Sequence, residues 1–237
     1  MKRVYKTVSV AALDDGYHVL LDGRPLRTPS KALLHLPSQA LAEAVAAEWE
    51  AQGEEIRPAE MGQTRLATTA IDRVRPAREE VVANVAGYGA SDLVCYHVED
   101  DEALLAKQRR LWQPFRDWLQ ERHGVALATG SGILHLAQAP ENEEKLRALV
   151  AAHDDMGLTA LADLVTITGS LAIGLALAER AFALEAGWQA AFVDELHQAE
   201  TWGEDAEAAA RRTKLKAELA EALRFLDLSG AQTSASP

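Results

Sequence analysis

Asp194-Glu195-Leu196-His197-Gln198-Ala199-Glu200-Thr201-Trp202-Gly203-Glu204-Asp205-Ala206-Glu207 joins two helical patterns. Asp194, Gln198 and Trp202 recur every four residues and so share one face of a helix. Glu195 lies beside them, seven residues before Trp202. Gly203 follows where a helix C-terminus favours a left-handed residue. Glu204, Asp205 and Glu207 then fall in the first turn of a second helix, where negative charge suits the dipole. The stretch predicts a helix–glycine–helix corner bearing acids, an amide and an indole. Such a cluster can anchor a partner, because tryptophan covers much area with little loss of entropy. The alternative is a Trp202 packed into the corner with solvated acids around it.

Outward from the corner, the chain reads as helix in both directions. Residues 204 to about 228 form the last helix, and Gly187 begins the one that reaches Trp202. Residues 158–184 hold one or two more, with Gly169, Ser170 and Gly174 permitting close packing. Residues 164–178 are the longest charge-free apolar run, shorter than the ~20 residues of a spanning helix, and predict a buried core helix. Residues 141–153 form another helix after Pro140. Residues 100–122 are amphipathic, with Leu104, Leu111, Trp112, Phe115, Trp118 and Leu119. Pro114 should kink this helix or split it. Residues 64–74 read as helix, and Pro76 opens the next at an N1-type position. Between 124 and 138 the pattern is ambiguous, and residues 133–136 suit a short strand or a loop.

The N-terminus differs. Residues 4–10 alternate in the manner of a strand. Asp14-Asp15-Gly16 marks a turn, residues 17–21 are β-prone, and Asp22-Gly23 is a strong hairpin signal. Residues 24–28 and 32–36 continue a meander, with Pro25 and Pro29 confining the former to an edge. Ser38 caps a helix that runs to about Gln52 and ends at Gly53. The expected fold is α+β. A small antiparallel β-rich module with one helix spans 1–60, a larger all-helical domain 61–228, and a disordered tail 229–237.

Composition narrows the function. The 237 residues are 48% hydrophobic and 25% charged, as in ordinary globular chains. A net charge of −12 excludes a nucleic-acid partner, which needs a basic footprint, and disfavours insertion into an anionic membrane. Cys95 is the sole cysteine, so no internal disulfide and no four-thiolate zinc site can form. Residues 1–10 lack the apolar run of a signal peptide, and a bacterial-type cytoplasmic location is expected, with a processed mitochondrial-matrix chain as the alternative that would look the same.

No catalytic set emerges. The seven histidines show no His-Glu-x-x-His spacing, and there is no Gly-x-Ser-x-Gly elbow. Gly87-Tyr88-Gly89-Ala90-Ser91-Asp92 carries an aspartate where a dinucleotide fingerprint ends in glycine. Asp194-x-x-His197 mimics one ligand pair of a carboxylate di-iron bundle. Such a site also needs a second pair and two more acids, which this chain does not supply. A metal-carboxylate enzyme and a general interaction scaffold stay as alternatives to a binding protein with a defined client. No cofactor is expected.

Several motifs together resemble the Atp12 family of F1-ATPase assembly chaperones. They are Tyr5-Lys6, Leu21-Asp22-Gly23-Arg24-Pro25-Leu26 with Thr28-Pro29, Glu48-Trp49 with Gln52, and Ile56-x-Pro58 followed by Met61, Thr64 and Ala70-Ile71-Asp72. Asp92-Leu93-x-Cys95-Tyr96, Gln108-x-x-x-Trp112-x-Pro114, Thr168-Gly169-Ser170-Leu171 and the Trp202-Gly203 stretch extend it from Val4 to about Phe225. The chain departs at Gly62, where the family usually carries proline after the methionine. The resemblance implies an F1 α subunit client, held until it pairs with β. It places contact at Asp194, Glu195, Gln198, Trp202 and Glu207, with Glu204 and Asp205 beside them.

Overall fold

The computed structural model describes residues 2–13, 16–132 and 134–230. The turn expected at Asp14-Asp15, Ile133 of the ambiguous segment and residues 231–237 of the tail lie outside the described residues. The architecture is α+β, a small antiparallel sheet followed by helices. The chain separates into two compact units. One comprises Met1–Arg78, His153–Ala160 and Glu221–Pro237; the other comprises Glu79–Ala152 and Leu161–Ala220. A boundary after residue 60 follows the order of the chain, whereas these units gather distant stretches of it.

In the first unit, β1 (Val8–Leu13) pairs antiparallel with β2 (Gly16–Leu21), and Val10 lies opposite Val19. β3 (Arg24–Pro25) and β4 (His35–Leu36) both pair with β2, so the arrangement is not a simple meander. Asp22 and Gly23 take φ of +47° and +76°, the pair of positive values that a tight hairpin turn requires. The turn is pinned from outside. Asp22 Oδ1 accepts from Thr7 N at 2.9 Å and Lys6 N at 3.0 Å, and these bonds, Thr7 first, hold its carboxyl below the ordinary range.

α1 (Gln39–Glu50) begins at Ser38, whose Oγ accepts from Leu41 N at 3.0 Å. It buries Leu41, Ala42 and Val45 and packs on β1 and β2, covering a sheet too small to stand alone. Tyr5, Ile56 and Met61 form a buried cluster with Val8, Leu21 and Trp49 against it. α2 (Gly62–Thr69) has no cap of its own, and Glu48 of α1 serves instead. Its carboxylate accepts from Gln63 N at 2.7 Å and Thr64 N at 2.8 Å. A Cβ at Gly62 would lie 2.4 Å from Glu221 Oε2, the atom that accepts from Gln63 Nε2 at 2.7 Å. The departure from proline at this position therefore leaves room for Glu221. α2 then runs into a π turn over Ala70–Val74 and a 3-10 turn over Arg75–Ala77.

The remaining helices are α3 (Arg78–Gly87), α4 (Glu102–His123), α5 (Pro140–Ala151), α6 (Asp155–Thr168), α7 (Leu171–Ala178), α8 (Leu184–Ala191), α9 (Val193–Trp202) and α10 (Ala206–Ser229). In the second unit α4 is central, packing against α7, α8 and α9. Trp112 is fully buried and donates its Nε1–H to Ala190 O at 2.8 Å. Phe115 stacks on Phe182 with ring centroids 4.3 Å apart. Of the two outcomes expected at Pro114, a split does not occur, and α4 is continuous through it. It lies on the exposed side, so water can satisfy the carbonyl one turn earlier.

Two other expectations change. The apolar run 164–178 is two helices, because Gly169 turns to φ +67° and Ser170 caps α7 by accepting from Ile173 N at 3.0 Å. The helix expected from Gly187 to Trp202 breaks at Phe192 (φ −111°), whose ring stacks on Trp188 at 3.9 Å. Within this helical unit one short parallel pair occurs, β5 (Tyr96–His97) with β6 (Gly130–Ser131). Of the segment expected as a short strand or a loop, the described residues 134–136 take the loop, and the strand lies just before them. Among the described residues no helix is long and apolar enough to cross a membrane.

Candidate functional site

α9 has two working sides, both within the second unit. One side faces α4. Asp194 Oδ1 accepts from Gln108 Nε2 at 2.8 Å, and the buried Gln108 in turn accepts from Val98 N at 2.9 Å. His197 Nε2 lies 3.0 Å from Asp101 Oδ2. Asp101 also caps α4 by accepting from Leu104 N at 2.8 Å, and this bond first, with His197 second, holds its carboxyl below the ordinary range. Glu200 pairs with Lys107, which lowers its pKa.

The rim of this side opens on a groove of about 590 Å³ lined by Tyr96, His97, Glu99, Asp100, Gln108 and Asp194 among others. Burial depresses the pKa of His97 and keeps its ring neutral near pH 7, so the groove's charge is acidic.

The other side of α9 faces water. Glu195 pairs with Arg211 at 3.1 Å and Arg212 at 3.6 Å, and Arg212 also holds Glu204. Gln198, Trp202 and Glu207 are exposed. Gly203 makes the bend at φ +97°, in the region that favours glycine. Asp205 precedes α10 and caps it, its Oδ1 accepting from Ala208 N at 2.8 Å, so Glu204 and Asp205 lie before the first turn expected to hold them and only Glu207 lies within it. Trp202 is 79% exposed. The packed-indole alternative is therefore not what the fold adopts.

The shared face expected for Asp194, Gln198 and Trp202 needs refinement. Glu195, Gln198 and Trp202 form the outward side, while Asp194 turns to the groove. Sequence reasoning missed the anchors. Gln108 was visible only as part of a motif, and the role of Arg211 and Arg212 depends on tertiary placement of α10. Asp194 and His197, the mimic of a metal-ligand pair, are each engaged by a different residue of the α4 region. Among the described residues no group of three or more His, Cys, Asp or Glu side chains is placed to hold a metal ion. Cys95 is buried, and burial first, with the Asp92 charge second, raises its thiol pKa to about 12. A thiol so held is protonated and unreactive at neutral pH.

An α+β chain whose acids serve as caps, ion pairs and groove walls, with an indole left on the surface, has the character of a binding protein. The chain belongs to the ATP12 chaperone protein family, whose model matches residues 2–120. It is 25% identical over 158 residues to the mitochondrial protein atp12 of Schizosaccharomyces pombe, a match covering 62% of this chain and 54% of that protein. The match thus spans about half the length of that relative. The crystal structure of Atp12 from Paracoccus denitrificans superposes with a TM-score of 0.93 at 40% identity, over 96% of this chain and 98% of that one. A candidate chaperone from Agrobacterium tumefaciens superposes at 0.91 with 38% identity, over 95% and 85%.

Proposed function

We propose that this protein is an assembly chaperone for the F1 sector of ATP synthase, holding the free F1 α subunit until it pairs with β. Membership of the ATP12 family supports the class of activity. The observation that carries the site is the exposed Trp202, flanked by Glu195 and Gln198 on one helix face. An indole in water is an unused contact surface, and tryptophan is among the residues most enriched at the centres of interfaces. The acids around it steer a basic patch on the client and set its orientation.

The mechanism is shielding. The chaperone covers apolar surface that α would otherwise bury against β, and mass action keeps free α from self-association. Release follows when β offers a larger interface. The cycle is one of binding, with no bond made or broken by the chaperone. In this reading the protein works in the bacterial-type cytosol or an equivalent compartment.

The test is light scattering of dilute purified F1 α with and without the protein. Suppressed turbidity at stoichiometric ratio is expected. Turbidity that climbs equally fast in both samples overturns the proposal. Recovery of unrelated proteins, without α, in a pull-down would instead favour a scaffold with another client.

A further inference from the structure

The N-terminal sheet ends in a strand without the usual guards. β1 is the terminal strand and is bonded to β2 on one side. The direction of its other backbone groups follows from two hydrogen bonds. Asp22 N–H donates to Thr7 O at 3.0 Å, and Leu26 N–H donates to Val19 O at 2.8 Å. Val19 therefore directs its backbone toward the β3 side. Val10, its partner in register, turns its own N–H and C=O outward, and by alternation so do Val8 and Ala12.

This edge reads Val8-Ser9-Val10-Ala11-Ala12-Leu13, with no charge, proline or glycine. Native edges normally carry such devices, because a bare row of donors and acceptors is a template for another strand. Ala12 and Leu13 are exposed, Leu13 at 53%. The charge nearby is also distinctive. Residues 2–31 hold six lysines and arginines against three aspartates, in a chain of net charge −12. Lys2 and Lys6 are exposed just before β1.

We propose that the outer edge of β1 receives an extended segment of the protein client as a further strand. An acidic side chain of that segment meets Lys2 and Lys6. The inference rests on the chaperone reading above and gives the client a second point of attachment. Main-chain bonds supply affinity here without demanding much of the client's sequence, as in other cases of strand addition. The cationic flank selects an acidic segment, whereas the acidic α9 corner selects a basic one.

The experiment uses purified F1 α, amide hydrogen exchange and the variant Ala12→Pro. Proline at Ala12 removes an outward donor without touching the ladder to β2, so it is tolerated at an edge. The complex should protect the Val10 and Ala12 amides, and Ala12→Pro should weaken α binding about tenfold with melting unchanged. Ala11→Pro removes an inward donor and should lower the melting temperature, which checks the assigned alternation.

If wild-type protein binds α but the two amides stay unprotected and Ala12→Pro binds equally well, strand addition alone is overturned. If wild-type protein fails to bind α, the chaperone reading and this inference fall together. Protection that grows with protein concentration in the absence of α assigns the edge to a second copy and overturns the proposal. Should Ala12→Pro not fold, the exchange pattern of the wild-type complex decides.

Discussion

Asp92 and Trp202 stand at opposite extremes of the same unit, and each is the wrong kind of residue for its place. Asp92 is a carboxyl that is 0% exposed; Trp202 is a large apolar ring that is 79% exposed. The difference lies in what surrounds them. Asp92 accepts from Val94 N at 3.2 Å and Ala172 N at 3.0 Å, tying the segment before β5 to the start of α7. Arg116 lies close by, donating to Val94 O at 2.5 Å. The buried acid is saturated with partners, so it serves the fold. The indole has water across most of its surface, so the fold does not explain it. Asp92 is thus accounted for by the fold, whereas Trp202 is left for a partner only in the reading proposed above, and the variants below separate the two.

The largest effect should come from Asp92→Ala. It strands two buried N–H groups, each costing about 1–3 kcal/mol, and a loss of about 3 kcal/mol in urea unfolding is expected. Asp92→Asn should cost less, since an amide oxygen still accepts. The pH dependence has a definite sign. Burial raises the Asp92 pKa against the hydrogen bonds that lower it, so the folded protein keeps a proton the unfolded chain has already released. Stability due to Asp92 therefore falls as pH rises through the window above the ordinary carboxylate range, and Asp92→Asn should flatten that slope. A slope unchanged in Asp92→Asn contradicts this account.

Trp202→Ala should do the converse. Melting should shift little, because surface changes away from special features stay within about 0.5 kcal/mol. Affinity for F1 α should fall by about 2 kcal/mol, near thirtyfold, if Trp202 is a central anchor. A variant that melts early but binds normally would reverse the comparison and return Trp202 to the fold.

The combined change Asp194→Lys with Glu195→Lys should be smaller. It should cut the association rate about tenfold at low salt, with the gap narrowing as salt rises. Glu195→Lys also places a cation against Arg211 and Arg212, so the melting curve must be read beside the kinetics. Unchanged binding of α removes both residues from the site.

The contrast between these regions was legible in the sequence to unequal degrees. The corner was read correctly as helix–Gly203–helix, because a glycine between two amphipathic periods is a local signal. The α+β order and the Asp22-Gly23 turn are local in the same sense. Which acids face outward was not legible, since Asp194 is turned aside by Gln108, 86 residues away in sequence. The same holds for Asp92, which in the sequence spoils a glycine motif and opens a family-like one, neither of which reports burial. Its burial depends on α7, and no spacing rule near position 92 reports that. The break at Phe192 was missed because stacking on Trp188 overrides a pattern that is otherwise continuous.

Cys95 offers the finest separation of the two regions. Its thiol is buried, lies near Asp92 and is raised to about 12, so in the native state it should resist a small thiol reagent at neutral pH. Reaction then waits on an opening of the segment around Asp92, and its rate reports the free energy of that opening. Asp92→Ala should speed labelling by about a hundredfold if the ~3 kcal/mol loss is local to this segment. Trp202→Ala should leave the rate unchanged, because nothing about an indole in water secures the opening. Adding F1 α should likewise leave Cys95 labelling unaltered if the corner only docks its client. Slower labelling in the complex would show that docking stiffens the Asp92 segment, and the division between a part that folds and a part that binds would no longer hold.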